Sequence, residues 1–257
     1  MTKTPTINRR GWLALWAQNA RRRRLKEHTL PSPDLSRGLV AHFSFEELSG
    51  NRMDEVNGHA LAPINQNMAS SPGIIGNAVW FNRNGGYLSG TEVTMAFSPT
   101  ANGFAVSFWA NFTNTVDPWQ TAYMASVWHD TDWPTGSSWH ICAVPANGMV
   151  SAEMIGQTRG FNGLGGAGNL VGWSHICLVF DQVAGVWSLY NNGVVVATVG
   201  CDFTPVVGQL GVGLHTNPIT PAPDCMIDEM AIWSRTLSAT EVAQLYNNGN
   251  GLPYVLF

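Results

Sequence analysis

The stretch from Trp173 to Val199, WSHICLVFDQVAGVWSLYNNGVVVATV, limits what this 257-residue chain can fold into more than any other. Ile176, Leu178 and Phe180 fall on one face of a period-two strand and Trp173, His175, Cys177 and Val179 on the other, so both faces are mostly apolar. A strand of that kind is buried on both sides. Asp181 to Gly185 reads as a turn, Val186 to Tyr190 as a returning strand, and Asn192-Gly193 as a two-residue turn whose positive φ angles suit a twisted hairpin. Three successive antiparallel strands follow from local chemistry alone.

Similar punctuation runs along most of the chain. Alternating apolar positions bounded by Gly, Pro, Asn or Asp predict strands at Gly38 to Phe45 and at about 77–82, 86–88, 104–112, 121–128, 138–144, 148–155, 208–214 and 225–234. Glu46 to Gly58 is a polar, turn-rich connection. Gly160 to Gly172 is a glycine-rich loop expected to be mobile, without the strand-to-helix context of a phosphate loop. Ser238-Ala-Thr-Glu241 is a capping box for a short helix to about Asn247, ended by Gly249, and Leu252 to Phe257 is an apolar tail.

Charge is divided sharply along the chain. Residues 1–37 hold nine of the thirteen Lys and Arg against two acids, a net of +7, whereas the remainder holds four Arg against fifteen acids, a net of −11. We therefore divide the chain into a basic N-terminal arm, residues 1–36, and a body, residues 37–257. In the arm, Asn8 is placed to cap a helix from about Arg9 to Glu27 with Trp12, Leu13, Trp16, Ala17 and Ala20 as its apolar stripe. Arg21, Arg22, Arg23 and Arg24 fall near its C-terminal end, where cations suit the helix dipole, and Pro31 and Pro33 stop it. Arg9-Arg10 before GWLALWA superficially resembles a twin-arginine export signal, but the short apolar run ends in Gln-Asn and four arginines rather than a cleavage region. Trp12, Leu13, Trp16 and Arg21 to Arg24 are the candidate partner-docking residues. The acidic body will not grip a phosphate backbone, so nucleic acid would have to meet the arm. No stretch approaches the roughly 20 apolar residues of a membrane span.

The four cysteines, Cys142, Cys177, Cys201 and Cys225, lack the spacing of a zinc site. Cys142 and Cys177 read as reduced thiols in strand interiors. Cys201 and Cys225 lie at element ends and would pair only in an oxidising compartment.

The runs W-x-H-I-x-x-V-F-D and G-x-W-x-L-Y-x-N-G in the opening stretch resemble the laminin-G-like branch of the concanavalin A-like lectin-glucanase jelly rolls. GLVAHFSFEE (Gly38 to Glu47), GNAVWFNRNGGYLSG (Gly76 to Gly90), FAVSFWANF (Phe104 to Phe112) and IDEMAIWSRTLSATEVAQLYNNG (Ile227 to Gly249) resemble it in order and spacing, over about residues 37–252. The resemblance implies an all-β, antiparallel two-sheet jelly-roll sandwich behind the basic arm with its short helix. This superfold carries lectins, adhesion modules, hydrolases and structural domains, so the fold alone assigns no function.

Candidate sites follow from that resemblance and from residue chemistry. Glucanases of the family present catalytic carboxylates from one strand face in an E-x-D-x-x-E pattern. Here Cys225-Met-Ile-Asp228-Glu229-Met leaves two adjacent acids, which on a regular strand point to opposite faces, so we expect no enzyme. Laminin-G-like and pentraxin-like relatives hold calcium with loop oxygens, which makes Asp54, Asn57 and Asp228 the candidate metal ligands. Against this, Asp and Asn in turns usually bond their own backbone. Between Thr115 and Trp139, the residues Trp119, His129, Asp130, Asp132 and Trp133 combine indole faces with polar groups as sugar binding requires. Trp128 and Trp139 end strand-like runs and read as core.

The expected function is that of a non-enzymatic structural and binding protein. The arm favours a virion component, such as a phage capsid decoration or tail-associated protein, docked on other proteins of a large assembly and displaying the sandwich. The alternative is a free extracellular lectin-like module that binds surface glycans.

Overall fold

The computed structural model describes residues 34–64, 68–81, 87–90, 103–112, 122–128, 138–144, 149–155, 166–167, 172–200, 209–212 and 225–257. In chain order the strands are β1 (Leu39–Phe43), β2 (Arg52–Met53), β3 (Ala60–Ile64), β4 (Met68–Pro72), β5 (Asn77–Phe81), β6 (Tyr87–Gly90), β7 (Phe104–Phe112) and β8 (Ala122–Trp128). Next come β9 (Ser138–Val144), β10 (Met149–Ile155), β11 (Gly166–Ala167), β12 (Gly172–Asp181), β13 (Val186–Asn191), β14 (Val194–Gly200), β15 (Gln209–Val212) and β16 (Cys225–Trp233), and then helix α1 (Ala239–Tyr246).

Among the described residues these strands make two antiparallel sheets. The first has the order β14-β13-β12-β7-β16-β5-β4, with β1 also paired to β16; the second has the order β11-β10-β9-β8-β15-β6-β3-β2. Phe43, Val79, Phe81, Val106, Phe108 and Ile176 from the first sheet meet Leu61, Leu210 and Val212 from the second in one buried cluster. The fold is thus the antiparallel sandwich expected from sequence. In β12, every residue from Ser174 to Phe180 is buried, because β7 and β13 flank it and both its faces are covered. Asn192 and Gly193 have φ of 50° and 77°, the left-handed pair that lets β13 return as β14 without splaying.

The expected strands on described residues are present within a few residues of their expected ends. The sequence reading missed β2, β3, β4 and β11. Met68–Pro72, MASSP, has no alternating apolar face; it is a strand because it pairs along β5 at the sheet edge, where its terminal proline interrupts no ladder.

The compact unit that contains the sandwich begins at Leu35. Leu35 is fully buried, and its carbonyl accepts a 2.7 Å hydrogen bond from Trp233 Nε1. Burial pushes the thiol of Cys177 up and leaves it a free, inert group, while Cys225 is buried at the start of β16. Cys201 lies outside the described residues. No helix among the described residues is long and apolar enough to cross a membrane.

Candidate functional site

The outer face of the first sheet carries a second apolar layer. Ala105, Cys177, Val179, Ala231 and Trp233 point outward from their strands and pack with Leu35, Leu237, Val242 and Leu245, with Phe257 against them. The helix that supplies part of this cover starts as the sequence predicts: Ser238 and Glu241 form a reciprocal capping box, and Asn247 ends it in the left-handed conformation.

Two histidines lie under this cover. His175 Nε2 is 2.8 Å from Ser107 Oγ, its ring is 5.3 Å from Trp109, and burial lowers its pKa to about 3. A serine within reach of an imidazole has the spacing of a nucleophile and its base. Here both are buried and His175 Nδ1 has no hydrogen-bond partner, so no third group completes a triad around this pair. The second, His42, is also fully buried; its Nε2 is 3.0 Å from Glu229 Oε2 and its Nδ1 is 3.6 Å from Glu55 Oε2. Tyr254 stacks on its ring at 4.7 Å, and Phe257 meets it edge-on at 5.4 Å.

Asp228 and Glu229 depart from the strand rule. The β16–β7 register shifts between Asp228 and Ala231, and Glu229 has φ of 49°, so a bulge resets the alternation. Ile227 and Met230 both face the inter-sheet core, and the two acids between them both lie on the outer side, contrary to the opposite faces expected from sequence. Each is committed internally. Asp228 Oδ2 accepts from Ile74 and Ile75 amides at 2.9 and 3.1 Å, and Oδ1 accepts from the Glu229 amide at 2.9 Å. Burial, with the charge of Glu229 adding to it, pushes the Asp228 carboxyl up to about 8 against the pull of those amides. Glu229 faces His42 beneath the tail.

The candidate calcium ligands hold backbone instead. Asp54 Oδ1 accepts from the His42 and Val56 amides at 2.8 and 2.9 Å, and Oδ2 accepts from the Asn57 amide at 2.9 Å and lies 3.1 Å from His59 Nδ1. Asn57 donates its side-chain amide to Val40 O at 2.7 Å. Asp54 and Asp228 thus spend most of their lone pairs on N–H groups, and they hold two different loops. Among the described residues no group of three His, Cys, Asp or Glu side chains is arranged to hold a metal.

Sugar candidates Trp119, His129, Asp130, Asp132 and Trp133 lie outside the described residues, as do Trp12, Leu13, Trp16 and Arg21 to Arg24 of the arm. Sequence reasoning overlooked a different set. On the outer face of the first sheet, Trp80 of β5 is in register with Met226 of β16, Met226 with Asn111 of β7, and Asn111 with Trp173 of β12. Trp80, Asn111 and Met226 each neighbour an inter-sheet core residue along the strand, and Trp173 alternates in step with Cys177 and Val179 of the outer layer, so all four point outward. Trp80 is 36% exposed and the other three are half-buried. One step along β7 the face closes: Trp109 is 3% exposed and stacks on Tyr246 at 5.8 Å, and Gly251 packs tightly against Ile75. The result is a shelf with an indole at each end, a thioether and an amide between, and a wall along one side. Its signal in the sequence was a tryptophan at each of two outward strand positions.

Solved structures place this architecture among known folds. The binding domain of Botulinum neurotoxin DC, in complex with rat synaptotagmin II, superposes with a TM-score of 0.64 at 13% identity, covering 83% of this chain and 52% of that one. For the binding domain of Paraclostridial Mosquitocidal Protein 1 the values are 0.63 and 17%, over 84% and 53%. Domain 4 of a GH43 extracellular arabinanase from Geobacillus stearothermophilus, in complex with arabinotriose, gives 0.57 and 20%, over 80% of this chain and 97% of that one. The chain thus spans about half the length of the toxin binding domains it matches. No curated protein sequence matches it. The family model described as the concanavalin A-like lectin/glucanases superfamily matches residues 71–243, two thirds of the chain, and the protein belongs to that superfamily.

Proposed function

We propose that this protein is a non-enzymatic binding and structural module, a component of a virion that is held by its basic arm and displays the sandwich. The observation that carries the non-enzymatic part is the commitment of Asp228 and Glu229 to internal partners, which leaves β16 without the open pair of carboxylates that glycoside hydrolysis needs. Similar folds in toxin binding domains, and in an arabinanase domain in complex with arabinotriose, support it. The division of charge, +7 in residues 1–37 and −11 in the rest, supports an arm docked on an acidic neighbour, where opposite charge steers the encounter.

The test is co-sedimentation with the parent particle across a salt series. Loss of Arg21 to Arg24 weakens attachment in a salt-dependent way, because exposed charges are screened over about 8–10 Å near physiological ionic strength. Trp12→Ala with Trp16→Ala weakens it at every salt concentration, because buried aromatic anchors carry most of the energy at such contacts. Attachment that survives loss of both tryptophans but vanishes with nuclease overturns protein docking. Incubation with β-glucans releases no reducing ends; turnover abolished by Asp228→Asn or Glu229→Gln overturns the non-enzymatic reading.

The fold of the arabinanase domain, covered over 97% of its length and bound to a sugar, favours a second reading: a free extracellular glycan-binding module. Intact extracts without any particle-associated protein would select it.

A further inference from the structure

We propose that the shelf formed by Trp80, Met226, Asn111 and Trp173 is a binding site for a neutral oligosaccharide. The inference rests on the binding reading above and names its site. It lies on strands β5, β16, β7 and β12, apart from the loop between Thr115 and Trp139 that the sequence singled out.

Sugar recognition needs flat apolar surfaces for the C–H faces of the rings and uncharged polar groups for the hydroxyls. Four adjacent strands supply these in one row. Trp80 and Trp173 stand on the outermost of the four, and three inter-strand spacings of 4.7–4.9 Å separate their backbones by about 14 Å. That span suits a short oligosaccharide laid across the strands, with an indole under each end. Between them Asn111 offers an amide with both a donor and an acceptor, and Met226 offers a thioether that adapts to the ligand's shape.

The backbone makes this a firm platform. Val79 and Phe81 beside Trp80, Ala110 beside Asn111, and Ile227 beside Met226 are buried in the inter-sheet core, so the shelf residues are mounted on strands that do not move independently. Trp109, Tyr246, Ile75 and Gly251 stop the shelf along one side and confine the ligand to one direction.

Charge selects the class of sugar. The row itself holds no charged side chain, and residues 38–257 carry a net charge of −11. Of the arginines on described residues in that range, Arg52 is 2% exposed and Arg235 is engaged with Glu241 at 2.7 Å. Sialylated or sulfated glycans meet repulsion from the acidic body and, among the described residues, no cation in the row, whereas neutral chains do not meet that repulsion.

The test is a glycan array displaying neutral and sialylated oligosaccharides, probed with the full-length protein and followed by calorimetry on the strongest neutral ligand. Trisaccharides and longer neutral chains bind, and the corresponding monosaccharide binds at least tenfold more weakly because it reaches one indole. Trp80→Ala and Trp173→Ala each weaken binding at least tenfold, Trp→Phe at either position weakens it less, and Asn111→Ala changes which neutral sugars are preferred. Circular dichroism and melting temperature confirm the fold of each variant, and the Phe variants keep the test open if an alanine variant fails to fold. Binding of a neutral glycan with unchanged affinity in folded Trp80 and Trp173 variants overturns the shelf and leaves the binding function standing. Preference for sialylated glycans overturns the neutral class. Loss of a protein partner, with no glycan bound by the parent protein, overturns the saccharide as occupant. Failure to bind any glycan or partner overturns both this site and the binding function.

Discussion

His175 shows what a single buried side chain does to stability. Its ring is held neutral in the fold, with a pKa lowered to about 3 by burial, whereas the same histidine in the unfolded chain takes up a proton near pH 6.5. The unfolded state therefore binds more protons between those values. Stability from this residue is complete above about pH 6.5 and falls as the pH drops toward 3, at about 1.4 kcal/mol per unit. Replacing His175 by Phe, with Ser107→Ala so that no hydroxyl is stranded, should flatten that loss. Thermal melts at pH 7 and pH 4 should show the gap between the parent and the variant shrinking or reversing in acid. Gly103 is a second sensitive position. Its φ is 106°, and a Cβ there would meet the carbonyl oxygen of Phe180, which is backbone and has no easy way to yield. We expect Gly103→Ala to cost more than about 2 kcal/mol, measured as a lower urea midpoint at unchanged slope.

At the level of elements, the C-terminal tail acts as a cover. Tyr254 and Phe257 pack on the His42 ring, and Phe257 also stacks on Trp233 at 6.0 Å. Val255 and Leu256, between them, are 86% and 60% exposed, so within residues 254–257 the two aromatic side chains make the packing contacts, and Leu252 before them packs on the outer layer. Deleting residues 254–257 uncovers the His42–Glu229 pair. Modification of His42 by diethyl pyrocarbonate, followed by peptide mass spectrometry, should rise at least several-fold in the truncated protein; a rate equal to that of the parent would show that the tail does not shield it. The bulge in β16 belongs to the same scale. One extra residue turns an alternating strand into one that presents Asp228 and Glu229 on a single side, and each acid then secures a different neighbour: the 73–76 loop for Asp228, and β1 for Glu229 through His42.

For the molecule as a whole, the sandwich belongs to one compact unit that begins at Leu35. A chain beginning at Asp34 should be soluble, β-rich and cooperatively melting by circular dichroism. One beginning at Gly38 loses the buried Leu35 side chain and the acceptor of Trp233 Nε1, and should melt lower by several degrees. Local patterning determined much of this architecture. The β12–β13–β14 meander, the capping box of α1 and the strands with alternating apolar residues were readable because each rests on neighbours a few residues apart. The polar edge strand β4 was not, because its only reason to be extended is β5 beside it. The same limit applied to the sites. Asp54, Asn57 and Asp228 have the composition of a calcium site, and only the structure reveals that Asp54 and Asp228 accept from backbone amides while Asn57 donates its side-chain amide to Val40 O. Trp80, Met226, Asn111 and Trp173 are spread over nearly a hundred and fifty positions. Sequence determined which way each one points, through strand alternation; that they form one row was decided by the strand order β12-β7-β16-β5, because register between strands distant in the chain is set by burial of the whole sheet and not by any local residue.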